Sequence, residues 1–249
     1  MKVALFPTCV VDAVEPDVGV ATVTLLRRAG HDIVVPPATT CCGQPAWNAG
    51  HAGPAAEVAR TTLRALAASD ADVIVVPAGS CATMMRVFWD ELFHLEGTAD
   101  DRRMVAEVAG KTRELSEWLD ADGAPATTTP DPTATVYHRS CHMLRELRIV
   151  EEPERLLDAT GADRRETTAR DRCCGFGGLF SVKLPEASTA MADDVLDAAV
   201  GTGACRMVGC DTSCLMHLRG RAQRRGLELQ FAHLAEVLAT ASQPTEGDT

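Results

Sequence analysis

The chain has 249 residues, ten cysteines and a net charge of −11, with no run of lysine and arginine interleaved with aromatics. That balance argues against nucleic acid or an anionic membrane surface as partner. No apolar run approaches the roughly 20 residues of a membrane span, and the apolar stretch after Met1-Lys2 is too short for a secretory signal. The expected location is therefore the cytoplasm, where thiols stay reduced and cysteines serve as ligands or redox groups rather than as a disulfide framework.

Met1 to Phe6 reads as a buried strand, and a helical pattern follows from Pro16 to Ala29. Asp32 to Val35 is a second strand that ends in Pro36-Pro37. The alanine-rich, periodic stretch Gly50 to Ala68 predicts a helix, Asp72 to Val76 a third strand, and Ala82 to Phe93 a further helix. After the segment 124–132 (APATTTPDP) the order repeats. Thr133 to His138 is a strand, Glu151 to Ala159 and Pro185 to Val200 are helical, and Ala204 to Val208 is a strand. The stretch Glu114–Leu119 also parallels His233–Leu238. Strands alternating with helices at this spacing predict an α/β protein of two pseudo-repeated Rossmann-like half-domains with mostly parallel sheets. The halves are expected at 1–123 and 133–241, joined by a linker at 124–132 and followed by a flexible tail at 242–249.

Nine of the ten cysteines obey the same repeat. Cys9 is followed after 31 residues by Cys41-Cys42 and after 38 more by Cys81; Cys141 is followed after 31 by Cys173-Cys174, then by Cys210 and Cys214. Matching cysteines are offset by 132, 132 and 133 residues. Cys9, Cys81, Cys141 and Cys210 are expected just past strand ends and near helix starts. Ligand sites of open α/β sheets gather at that edge, and helix N-termini favour thiolates. Soft thiolate sets take zinc, copper(I) or iron–sulfur clusters. Adjacent cysteines are awkward as a disulfide and differ from the spaced knuckles of structural zinc, which favours a cluster. A structural zinc site and a redox-thiol relay are the alternatives. Each pair is followed by glycine (Gly43; Gly175, then Gly177 and Gly178), which lets backbone pass close to a bulky inorganic group. The second half, with Cys141, Cys173, Cys174, Cys210 and Cys214, is the primary candidate site. The first, with Cys9, Cys41, Cys42 and Cys81, is the secondary one, because Pro77 occupies the position matching Cys210. Cys205 lies outside the repeat and is expected to be a buried, small apolar residue. No flavin or nicotinamide fingerprint is present, since Gly175-Phe176-Gly177-Gly178 lacks the Gly-x-Gly-x-x-Gly form.

The stretches Thr40–Ala46, Ser140–Leu147, Cys173–Lys183 and Cys210–His217 resemble the cysteine-rich CCG domain family, which includes the cysteine-rich component of heterodisulfide reductase. Within it they are most similar to the lactate utilization protein A family. The resemblance implies one or two iron–sulfur clusters of 4Fe-4S type per chain, and an oxidoreductase component of an L-lactate to pyruvate oxidation system that relays electrons. It also implies lactate utilization proteins B and C as partners. Thiol/disulfide redox chemistry like that of heterodisulfide reductase and a zinc-bound docking role are the alternatives. Should a 2-hydroxy acid bind this chain, His138, His142 and Arg145 are the candidates for base or carboxylate clamp. Trp47 is expected to pack beside Cys42. His51, Lys183 and His217 sit near the motifs and carry no assigned role.

Overall fold

Short runs of β-branched and other apolar residues form the central strands. Val73–Val76, the most apolar of them, is buried at every position. The computed structural model describes residues 1–242. The first half runs β1 (Lys2–Leu5), α1 (Cys9–Val14), α2 (Pro16–Arg28), β2 (Asp32–Val34), α3 (Gln44–Asn48), α4 (Ala52–Ala67) and β3 (Val73–Val76). It continues through α5 (Gly79–Thr83), a π-helical turn at Met84–Phe88, α6 (Trp89–Glu96), α7 (Ala99–Lys111), β4 (Thr112–Glu114) and α8 (Leu115–Asp122). The second half runs β5 (Ala134–His138), a π-helical turn at Met143–Leu147, α9 (Glu152–Ala159), β6 (Asp163–Arg164), α10 (Leu179–Lys183) and α11 (Pro185–Val200). It ends with β7 (Arg206–Gly209), α12 (Thr212–Arg224), β8 (Gln230–His233) and α13 (Leu234–Ala241).

Each half holds a four-stranded sheet, ordered β2-β1-β3-β4 and β6-β5-β7-β8, and every pairing is parallel. The two halves are thus the same α/β unit written twice, as the repeat predicts. In each sheet the connections part between the two central strands. A crevice forms at that switch point, beyond the C-terminal strand ends. Cys9 follows β1 and Cys81 follows β3; Cys141 follows β5 and Cys214 follows β7.

Side chains alternate across a strand, and the two faces of each sheet have different fates. Val3, Val73 and Val75 join Tyr137, Val208 and Cys210 in one core that both halves share. The closing helix of each half packs on the first long helix of the other, α8 on α9 and α13 on α2. The opposite faces are covered locally. Ala4, Phe6, Ile74 and Val76 pack with residues of α4 to α7, while Val136 and Met207 pack with residues of α11 and α12. Both closing helices begin with a reciprocal capping box, Glu114 with Glu117 and His233 with Glu236. This is the parallel between the two stretches that the sequence shows.

Segment 124–132 carries no regular structure, yet it is tied to the second half. Thr129 N–H donates to Ala241 O (3.0 Å), Thr127 Oγ1 to Ala159 O (2.9 Å) and Asp131 N–H to Thr160 O (2.9 Å). Of the tail expected at 242–249, Ser242 is buried, donating to Leu238 O and accepting from Arg28; the rest lies outside the described residues. Cys205 corrects an expectation. It is exposed, because it precedes β7, which starts at Arg206, and so sits at the end of the sheet rather than within it. Among the described residues no helix is long and apolar enough to cross a membrane.

Candidate metal centre

Cys9 is the first residue of α1, directly after Thr8, whose φ of 74° is uncommon for a β-branched residue. Cys41 and Cys42 lie in the loop before α3, and Cys81 in the first turn of α5. Their sulfurs form a chain. Cys9 Sγ lies 3.7 Å from Cys41 Sγ, Cys41 contacts Cys42, and Cys42 Sγ lies 3.3 Å from Cys81 Sγ. The second half repeats it: Cys141 contacts Cys173, Cys173 contacts Cys174, and Cys174 Sγ lies 3.1 Å from Cys214 Sγ. All ten cysteines are free thiols.

The glycine after each pair is required by geometry. Gly43 and Gly175 hold φ of 87° and 85°, and each donates its N–H to the sulfur two residues before it, Cys41 or Cys173, at 3.4 Å. A Cβ would stand 2.6 Å from Ala55 O in one turn and 2.6 Å from Ser188 O in the other, so only glycine fits.

Hydrogen bonds from Cys42 and Cys9 hold the Cys41 thiol down to about 3, and those from Cys141 and Cys174 hold Cys173 down to about 2. The donors Cys9, Cys42, Cys141 and Cys174 are pushed up in turn, first by those same bonds and then by burial. Cys41 and Cys173, which accept from a thiol on either side, are thus the sulfurs of their sets that ionise first. A thiolate packed among thiols is the donor set of a soft metal. The residues present fit such a centre in both halves.

Cys210 stands apart from the other four candidates of its half. It lies on the shared-core side of β7, where Tyr137 OH donates to its sulfur at 3.3 Å and Ser116 is a further partner. Burial pushes its thiol well up, with the Glu114 carboxylate adding to the effect. Strand parity puts Cys210 on the inner face with Val208, whereas Cys214 lies beyond the turn into α12, whose first turn carries it to Cys174. Both halves therefore present four clustered sulfurs, and Pro77 costs the first half nothing.

His142 Nδ1 lies 3.8 Å from Cys141 Sγ, while Gln44 Nε2 lies 3.4 Å from its Nε2 and donates to Ser80 O at 3.0 Å. With Gln44 donating, Nδ1 carries the proton and points it at Cys141. Arg145 is exposed, and its charge favours the Cys141 thiolate. His138 is buried at the end of β5, held down to about 4 by burial, and grouped with Cys174 and Cys214. Trp47 packs against the Phe88 ring, 6.4 Å between centroids. His217 contacts Ser188 Oγ and the Phe176 ring, Lys183 is exposed, and His51 precedes α4.

The two sulfur sets open on neighbouring cavities of about 70 and 210 Å³, and Gln44, Ser80, Phe176, Asp211 and Ser213 line both. Asp211 joins the halves here. Its carboxylate accepts from Ser80 N–H at 2.8 Å and from Ser213 Oγ at 2.5 Å, beside a bond from Gly79 N–H to Cys210 O of 3.2 Å. The sequence motifs do not single out Asp211, Ser80 or Gln44. The signals they leave are the place of Gln44 and Asp211 within the stretches Thr40–Ala46 and Cys210–His217, and the 133-residue offset that maps Ser80 onto Ser213.

The loop of the first pair is held from below by Trp89, fully buried, whose Nε1–H donates to Cys42 O at 2.8 Å. Trp89→Phe leaves that carbonyl unpaired and is expected to cost about 2 kcal/mol. Urea unfolding of the variant checks it, and a loss under about 0.5 kcal/mol would contradict it.

Comparison with known proteins matches this arrangement. The model of the CCG cysteine-rich domain fits the chain twice, at residues 3–86 and 135–219. Lactate utilization protein A 1 of Bacillus cereus (strain AH820) is 40% identical over 97% of this chain and 100% of its own length. Lactate utilization protein A of Bacillus thuringiensis (strain Al Hakam) matches to the same extent. A hypothetical protein from Helicobacter pylori, solved by crystallography, shares the fold with a TM-score of 0.67 at 9% identity; it covers 98% of this chain, which spans 49% of that one. With two CCG domains and full-length similarity at this level, the chain belongs to the lactate utilization protein A family of cysteine-rich CCG domain proteins.

Proposed function

We propose that this chain is a cytoplasmic iron–sulfur component of a system that oxidises L-lactate to pyruvate, relaying electrons alongside lactate utilization proteins B and C. The observation that carries the reading is the pair of four-sulfur sets opening on adjoining cavities. The full-length similarity to proteins named for lactate utilization supplies the substrate class. Conversion of a 2-hydroxy acid to its 2-oxo acid releases two electrons and two protons, and an iron–sulfur cluster, when bound, takes up and returns single electrons.

The chain's own residues do the rest. Cys41 and Cys173 present the thiolates that ionise first. The remaining six sulfurs complete the ligand sets, and the Gln44–Ser80–Asp211–Ser213 wall fixes the two sets relative to each other across the junction of the halves. Buried sulfurs keep water from the centres, and N–H donors such as Gly43 and Gly175 stabilise negative charge on sulfur.

The test is iron and acid-labile sulfide on protein purified without oxygen. About eight of each per chain is expected for two centres of 4Fe-4S type, with lactate-dependent bleaching once proteins B and C are added. Zinc without sulfide would overturn the redox reading and leave a structural role.

A further inference from the structure

The two sets of thiols differ in a buried neighbouring side chain. The 132-residue offset that carries Cys9 onto Cys141 carries Phe6 onto His138. Phe6 packs in the apolar core with Cys42 and Cys81. His138 takes the same place beside Cys174 and Cys214. It is 4% exposed, and neither Nδ1 nor Nε2 has a hydrogen-bond partner. One of its ring nitrogens and the two sulfurs all lie within 4.8 Å of one another.

Buried polar groups are nearly always bonded, and Phe6 shows that the fold asks only for an apolar ring here. An unpaired imidazole in that place is unfavourable by itself. A metal atom bonds imidazole nitrogen at about 2.0–2.1 Å and thiolate at about 2.3 Å, so one atom can reach all three donors across the observed span.

We propose that His138 supplies an imidazole nitrogen to the metal atom held by Cys174 and Cys214, giving the second centre a ligand that the first lacks. This rests on the metal-centre reading above. The second centre then has Cys141, Cys173, Cys174, Cys214 and His138 as donors. The neutral ring adds a bond without adding negative charge, which sets the two centres at different potentials.

Hyperfine spectroscopy decides it, on anaerobic protein in the paramagnetic state reached by one-electron treatment, grown with natural or 15N-labelled histidine. The expected result is a strong nitrogen coupling that changes pattern with the label, persists in His142→Gln and disappears in His138→Phe. No coupling, the weak coupling of a merely hydrogen-bonded ring, or loss in His142→Gln overturns the proposal. If His138→Phe fails to fold, labelled wild type and His142→Gln still decide. Iron and sulfide are measured on the same samples first. Zinc without sulfide would sink the iron–sulfur reading alone, and the imidazole is then sought by the same coupling in cobalt-substituted protein.

Discussion

Cys173→Ser is expected to halve the iron and sulfide of the anaerobic protein, from about eight of each per chain to about four, and Cys41→Ser to do the same from the other half. Each residue is an inner sulfur of its chain, accepting from two neighbouring thiols, and the thiol whose ionisation is most favoured. A serine hydroxyl neither ionises near neutral pH nor matches a soft metal, so the change removes the anchor of its set. Cys41 and Cys173 are only half-buried, and loss of one sulfur from such a place leaves the fold intact. The sets share no cysteine, so each variant should spare the other centre. Cys210→Ser is the discriminating control. With its sulfur against Tyr137 instead of Cys174 or Cys214, iron content is expected to stay at the wild-type value. If Cys210→Ser loses as much iron as Cys173→Ser, the four-sulfur description of the second half is wrong.

The stability contributed by Glu114 should fall as pH rises toward neutrality, and Glu114→Gln should remove that contribution to the slope. Glu114 caps α8 where the halves meet and is fully buried. Burial raises its carboxyl from the ordinary value near 4.5 to about 7, against the opposing bonds from Ser116 and the Glu117 N–H. Between those values the folded chain keeps a proton that the unfolded chain has given up. The stability this proton confers is complete below about pH 4.5 and is lost as pH climbs through about 7. At about 1.4 kcal/mol per pH unit the loss comes to about 3 kcal/mol. Glutamine keeps an oxygen for the Ser116 N–H and cannot ionise. Urea unfolding at pH 5 and pH 8 should therefore show wild type weakening by about 2.5 kcal/mol relative to the variant. Parallel behaviour of the two proteins would show that the carboxyl is not strained by burial.

The strands that the sequence reveals are the central ones. Val3-Ala4-Leu5 and Val73-Ile74-Val75-Val76 are buried on both faces and read as unbroken apolar runs. The edge strands β4, β6 and β8 (TRE, DR and QFAH) carry no such pattern. They exist because β3, β5 and β7 offer them backbone partners. The long helices α4 and α11 announce themselves by alanine periodicity, whereas the π-helical turns at Met84–Phe88 and Met143–Leu147 follow from packing and leave no local mark.

Strand–helix alternation and the cysteine repeat, read from the sequence, determined that the chain is one α/β unit written twice and pointed the sulfurs of each half to a site beyond its strand ends, with a glycine after each pair. Those features are local or periodic, and spacing along a strand–helix unit carries them. Only the tertiary structure decided which sulfurs belong together. Cys210 and Cys214 are four residues apart in sequence, yet strand parity and the start of α12 send one to Tyr137 in the shared core and the other to Cys174. Only the folded chain brings Asp211 to Ser80, and His138 to the two sulfurs beside it. Such contacts join residues far apart in the chain, and they arise when the two sheets and their crossed helices pack together.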